Sequence, residues 1–127
     1  MNKIILVTGG EGRFCKKLEK SETQLKFYFA NKKECNILNY KSLQKIVRKI
    51  KPDIIMHCAG LSRPMSLHET NIEKSIDLNI IGTSNVTKIC SQYNLKLIYF
   101  STGYVYEGVK GNYSETDPVK PFNNYGL

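Results

Sequence analysis

The chain of 127 residues has no Cys-x-x-Cys pair, only two histidines, and 11 acidic residues against 19 basic ones. Its four cysteines, at positions 15, 35, 58 and 90, are widely spaced. That spacing argues against a bound metal and reads as reduced, buried thiols in a cytoplasmic chain. No apolar run approaches the ~20 residues of a membrane-spanning helix. Before Thr8 stand one lysine and four apolar residues, too short a stretch for a secretory signal. The sequence therefore reads as a soluble cytoplasmic protein without a membrane partner. No internal repeat, low-complexity segment or interdomain linker is visible, and the length suits one domain with a real core. The net charge of +8 would suit a polyanion. Yet no arginine-rich run or aromatic RNA-reading motif accompanies it, so nucleic acid is not the expected partner. A small substrate bearing phosphate is served equally well by such a surface.

What the sequence does have is a distinctive start, KIILVTGGEGRFCKKL over residues 3–18. A short apolar run from Ile4 to Val7 ends at Thr8 and breaks into Gly9, Gly10 and Gly12. A helix-like pattern follows, with Phe14 and Leu18 on one side. Strand, glycine turn and helix together set unpaired backbone N–H groups in front of a diphosphate. The glycines let the backbone turn tightly and approach a ligand closely, while Cys15 fills a third slot usually held by Gly or Ala. Three glycines after a strand also make turns that bind nothing, so the rest of the chain must decide.

The remaining pattern alternates strands and helices. Residues 24–29 read as a second strand and residues 34–38 as a short third, with Cys35 and Ile37 inward. Asn39 is a plausible cap for an amphipathic helix carrying Leu43, Ile46, Val47 and Ile50, which Pro52 ends. Residues 53–58 form a nearly continuous apolar strand that runs into His57-Cys58-Ala59-Gly60. His57 reads as a packed strand-end histidine rather than a base or metal ligand. A long helix is expected from about residue 69 to 93, with Ile72, Ile76, Val86, Ile89 and Cys90 facing the core. A further strand covers 96–101. The tail is loop-like until Tyr125, where a helix begins. The order β-α-β-β-α-β-α-β calls for an α/β fold, a Rossmann-like doubly wound parallel sheet.

In such a fold, an Asp or Glu at the end of the second strand bonds the ribose hydroxyls and selects NAD. Here Phe29, Ala30, Asn31, Lys32 and Lys33 occupy the region, and Arg13 lies in the glycine loop. The expected cofactor is NADP, with some of Arg13, Asn31, Lys32 and Lys33 near its extra phosphate. NAD is the alternative, and a solvated turn is the other reading of the two lysines.

Six stretches in register carry a resemblance. They are Thr8-Gly9-Gly10-Glu11-Gly12; Cys35-Asn36-Ile37; Pro52-Asp53 through Gly60; Asn79-Ile80-Ile81-Gly82-Thr83; Ser101-Thr102 through Tyr106; and Tyr113 through Pro118 with Pro121 and Asn124-Tyr125-Gly126. Across its whole length the chain resembles the N-terminal part of the extended short-chain dehydrogenase/reductases, a family of nucleotide-sugar epimerases, dehydratases and reductases. The likeness is greatest to the dTDP-4-dehydrorhamnose reductase branch.

The resemblance implies a NAD(P)-dependent oxidoreductase acting on a nucleotide-linked keto sugar. It places Thr102 at the Ser/Thr position that hydrogen-bonds the reacting carbonyl, and Tyr125 at the general acid. Asn36 and Ile37 would meet the adenine. Gly9, Gly12, Arg13, Phe14 and Asn31 would serve the phosphates and ribose, and Cys58, Ala59 and Gly60 would line the cofactor. Asn79 would pack behind the site; a helix-interior hydrogen bond to backbone is its other reading. Gly103 stands where the reductase branch often has Asp. The family's lysine, four residues after the tyrosine, would fall beyond Leu127. Residues 1–127 are thus expected to be a dinucleotide-binding domain cut before its last strands, without a substrate domain and inactive alone. An epimerase or dehydratase, and a truncated non-catalytic module, are the alternatives. Family members often form homodimers.

Overall fold

Ile5, Leu6 and Val7 are buried in succession, which a strand achieves only when covered on both faces. In the computed structural model, which describes residues 3–127, they lie on β1 (Ile4–Thr8) at the centre of a parallel sheet. The other strands are β2 (Lys26–Ala30), β3 (Ile54–His57) and β4 (Lys96–Tyr99), in the order β2-β1-β3-β4. Register is continuous across the centre, with Leu6 opposite Tyr28 on one side and Ile55 on the other.

Side chains alternate between two cores. Leu6 and Ile55 join Leu43, Ile46 and Val47 of α2 (Tyr40–Ile50) and Val86, Ile89 and Cys90 of α5 (Gly82–Gln92). On the opposite face, Ile5 and Val7 meet Cys15 of α1 (Arg13–Leu18). Each fully buried aliphatic side chain contributes about 1.5–3 kcal/mol, so the α2–α5 layer carries most of the hydrophobic stabilisation. Truncating Leu43, which has no exposed surface, would open a cavity in it.

Local chemistry explains the boundaries. The Asn39 side chain accepts the Ser42 amide at 3.1 Å and starts α2, as its sequence position predicts. Lys51 turns left-handed at φ 50 and Pro52 follows, closing the helix. Asn94, at φ 52, stops α5 in the same way.

Four expectations change. Residues 34–38 are not a strand. Their amides are taken locally: Asn31 Oδ1 accepts from Lys33 and Glu34, and Asn36 Oδ1 accepts from Leu38. Asparagine side chains have outcompeted a ladder, although Cys35 and Ile37 are buried as expected. The long helix is broken into α3 (Leu67–Thr70), α4 (Ile72–Ile76), a π-helical turn (Asp77–Ile81) and α5. Asn71 makes the break, its side chain capping α4 through the Lys74 amide, and Ile72 and Ile76 are exposed rather than inward. In α1 the inward residue is Cys15, while Phe14 is exposed with its ring edge-on to Phe100. At the tail, Asn123 O accepts from Gly126 and Leu127, giving a single turn and no helix.

Candidate functional site

The strand ends converge on one rim. Beyond Thr8, Gly9 adopts φ +68, and a Cβ there would lie 2.8 Å from the Ala59 backbone. That pairing locks the glycine turn against the segment following β3, where only glycine fits. Gly10 is pressed equally hard against the end of β2, with a Cβ position 2.7 Å from the Phe29 carbonyl carbon. Gly12 N donates to Gly9 O at 2.9 Å, closing the turn. Among the described residues, the first-turn amides of Arg13 and Phe14 have no backbone acceptor, as a helix N-terminus requires.

Under the turn lies a buried polar chain that sequence reasoning missed. Thr8 Oγ1 accepts the Cys58 and Ala59 amides, both at 3.2 Å, and sits 2.8 Å from His57 Nδ1. With its lone pairs occupied, the Thr8 hydroxyl donates its proton to Nδ1. His57 Nε2–H then donates to Thr83 Oγ1 at 3.1 Å. Burial pushes the His57 pKa down to about 4, which keeps the ring neutral as this pattern demands. The network ties β1, β3 and α5 together under the rim. Its partners lie 26 and 49 residues away along the chain, so only the polar ends of two apolar strands hinted at it.

Two clefts open on the rim. One is lined by Gly9, Gly12, Asn36, Ile37, Cys58, Ala59 and Gly60, all expected residues, and by Glu11, Lys32, Cys35 and Leu78. An adjoining extension collects Asn31, Lys32 and Lys33 beside Asn36 and Glu11. Asn31 Oδ1 is consumed by the turn it caps, which leaves its amide nitrogen as the available group. Arg13 and Phe14 line neither cleft. Glu11 lines both of these spaces, a carboxylate the motif reading passed over.

The other cleft holds Thr102, Tyr125 and Asn79 together with Cys58, Ala59 and Gly60, so the two clefts are joined along the end of β3. Thr102 Oγ1 accepts the Tyr104 amide at 3.2 Å, which leaves its proton free to be donated into the cleft. Asn79 hydrogen-bonds across to the loop: Oδ1 accepts from Leu61 N at 2.7 Å, and Nδ2 donates to Leu61 O at 2.8 Å. It therefore fixes the Gly60–Leu61 backbone that forms the cleft wall.

The thiols beneath these walls are poor nucleophiles. Burial, with Cys15 alongside, pushes Cys58 up to about 12; burial also raises Cys15. Cys35 and Cys90 are each pushed up to about 11 by burial. Among the described residues no cluster of His, Cys, Asp and Glu could hold a metal ion. No described helix is long and apolar enough to cross a membrane.

A parallel, doubly wound sheet with a glycine turn after its first strand and clefts at the strand ends defines a Rossmann-like α/β nucleotide-binding fold. Within that class the match is specific. Residues 1–127 match the RmlD substrate binding domain family, and the chain belongs to it. The dTDP-4-dehydrorhamnose reductase of Bacillus anthracis str. Ames, solved in complex with NADP, superposes with a TM-score of 0.91 at 31% identity. That match covers 99% of this chain and 46% of the reductase. Methionine adenosyltransferase 2 subunit beta of Xenopus laevis is 33% identical over 94 residues, 73% of this chain and 28% of the relative. GDP-6-deoxy-D-talose 4-dehydrogenase of Aggregatibacter actinomycetemcomitans is 32% identical over 133 residues, 97% of this chain and 44% of the relative. The chain thus spans less than half the length of each of these three proteins.

Proposed function

We propose that residues 1–127 are the dinucleotide-binding part of an NADP-dependent oxidoreductase acting on a nucleotide-linked keto sugar. The observation that best supports this is the junction of the glycine-turn cleft with the Thr102–Tyr125 cleft along Cys58, Ala59 and Gly60. The residues present fit a dinucleotide: Gly9 and Gly12, which line the cleft, carry no side chain, so a diphosphate could approach the backbone of the turn closely. Asn36 and Ile37 would flank the adenine, and Lys32 and Lys33 the extra phosphate of NADP; NAD is the alternative cofactor. When bound, the cofactor supplies hydride. Thr102 would hydrogen-bond the substrate carbonyl oxygen and polarise it while keeping its own proton, and Tyr125 would transfer the one proton that this oxygen gains as hydride reaches the carbon. Asn79 keeps the cleft wall in place throughout.

The region that shapes the sugar pocket and the lysine expected after Tyr125 are assigned to the length that these relatives have and this chain does not span. On that basis the 127 residues alone bind cofactor and do not turn over. Reduction, epimerisation and dehydration remain alternative reactions of the same half. The partner is a small nucleotide sugar rather than nucleic acid, the setting cytoplasmic and the assembly a homodimer. A second reading is a truncated non-catalytic dinucleotide-binding module that pairs with another chain; that one relative is named as a subunit supports the pairing.

Calorimetric titration of the purified chain with NADPH and NADH tests the proposal. Saturable binding with NADPH preferred is the expected result. Absence of binding by either nucleotide refutes it.

A further inference from the structure

Tyr125 lies in a turn with few interactions of its own, yet its ring is fixed from two directions. The His68 ring packs against it with centroids 4.5 Å apart and planes at 42°. The Tyr104 ring meets it edge-on at 5.6 Å. His68 is fully buried, with Nδ1 2.7 Å from Ser75 Oγ and, among the described residues, no partner for Nε2. The ring therefore acts as a plate anchored from behind. Its neighbour Glu69 takes both donors of Asn124: the backbone amide at 3.1 Å and Nδ2 at 2.7 Å. On the far side, a Cβ at Gly126 would run into the Tyr104 carbonyl, so the turn has little room to shift.

We propose that α3 is the positioning element for Tyr125. Glu69 anchors the turn through Asn124, and His68 sets the angle of the phenol ring toward the Thr102 cleft. The assignment rests on the reading of Tyr125 as the proton donor. His68 and Glu69 are positioning residues in this scheme and touch neither substrate nor cofactor. Two consecutive residues of a four-residue helix thus reach 55 residues along the chain to hold one catalytic side chain. A carboxylate that accepts two N–H groups of one asparagine is a strong and directional anchor.

The test uses the purified chain labelled with ring-13C tyrosine, with the Tyr125 signal among the eight tyrosines assigned through Tyr125→Phe. In the wild type, the Tyr125 signal should be displaced from the free-tyrosine position by its two ring neighbours. Glu69 is exposed, so Glu69→Ala leaves the core intact; it should move the signal toward the free position. Glu69→Gln, which keeps a carbonyl acceptor, should restore much of the displacement. His68→Phe should preserve it, because a stacked ring remains. NADPH should bind Glu69→Ala within about twofold of wild-type affinity, because the phosphate turn is remote. The Tyr125 response to NADPH, however, should be lost. A merely structural fault would weaken binding as well.

If Tyr125 resonates at the same position in wild type and Glu69→Ala, the inference is overturned. If NADPH fails to move Tyr125 in the wild type while Glu69→Ala still shifts the ligand-free signal, the clamp stands and the proton-donor reading falls.

Discussion

Gly9 and Gly10 are pressed against backbone, with Cβ positions 2.8 and 2.7 Å from Ala59 and Phe29, whereas Gly103, Gly108 and Gly111 have nothing within 4 Å, and only at Gly126, against the Tyr104 carbonyl, does the described tail pack as closely. The same contrast runs through the polar contacts. Around the glycine turn, the polar chain runs from buried Thr8 and His57 to half-buried Thr83 and links three elements. In the tail, the ion pairs Lys110–Asp117 and Lys120–Glu107 sit at the surface, where the Tyr113 hydroxyl accepts the Val109 amide and Asp117 accepts the Ser114 amide. The turn is shaped by contacts that water cannot replace; the tail is shaped by contacts that water can. The proposed chemistry joins the two regions, with a rigid cradle for the diphosphate and a softer segment for the proton donor. This is why an anchor such as Glu69 matters at Tyr125 and no equivalent is needed at Gly9.

The sharpest way to break this contrast is to add a side chain to each region. Gly9→Val forces a branched residue into left-handed backbone against Ala59 and should cost about 2–5 kcal/mol of unfolding free energy. Gly103→Ala, with open space around it, should stay within about 0.5 kcal/mol of wild type. Urea denaturation of both variants decides; equal losses would erase the distinction.

A second effect follows from acid. His57 titrates at about 4 when folded and at 6.5 when free. Between those values the unfolded chain takes up a proton that the folded chain refuses. Stability should therefore fall as the pH drops through that window, by about 3 kcal/mol in total from this group. Below about 4 the group contributes no further change. His57→Gln should flatten that part of the stability profile, and a profile with unaltered slope would show that another group sets it.

The smallest effect concerns the extension beside Asn31. Removing both Lys32 and Lys33 should weaken NADPH binding about fivefold, the scale of exposed charge pairs, and leave NADH nearly unchanged. Glu11→Gln should act in the opposite direction, tightening NADPH slightly. Equal losses for both nucleotides would make the lysines a solvated turn.

Where residues act on their near neighbours, the sequence was legible. Asn39 capping α2, Pro52 after its end, and the inward Leu43, Ile46 and Val47 follow from spacing alone. The parallel sheet followed from apolar strands separated by helical stretches. The third strand failed for a local reason too, since alternation at Cys35 and Ile37 marks burial, and burial without a pairing edge is not a strand. The helix break at Asn71 was hidden because asparagine is tolerated inside helices as well as before them. The thread from Thr8 through His57 to Thr83 was beyond reach, as were the Glu69–Asn124 bonds, because each pairs residues that only the finished fold brings together. For the candidate site, motif order located Thr102, Tyr125 and Asn79 on one cleft. It gave no hint that Gly10 is as tightly packed as Gly9, or that Glu11 lies among the lysines.

The four thiols extend these points in a direction of their own. All are held protonated by their surroundings and three are almost fully covered, so alkylating reagents at neutral pH have no ready target in the intact fold. Because they are distributed over α1, the bend after β2, the end of β3 and the last turns of α5, each reports on a different sector. Mass spectrometry of timed maleimide labelling would therefore rank how often each sector breathes, using a clock already present in the native chain.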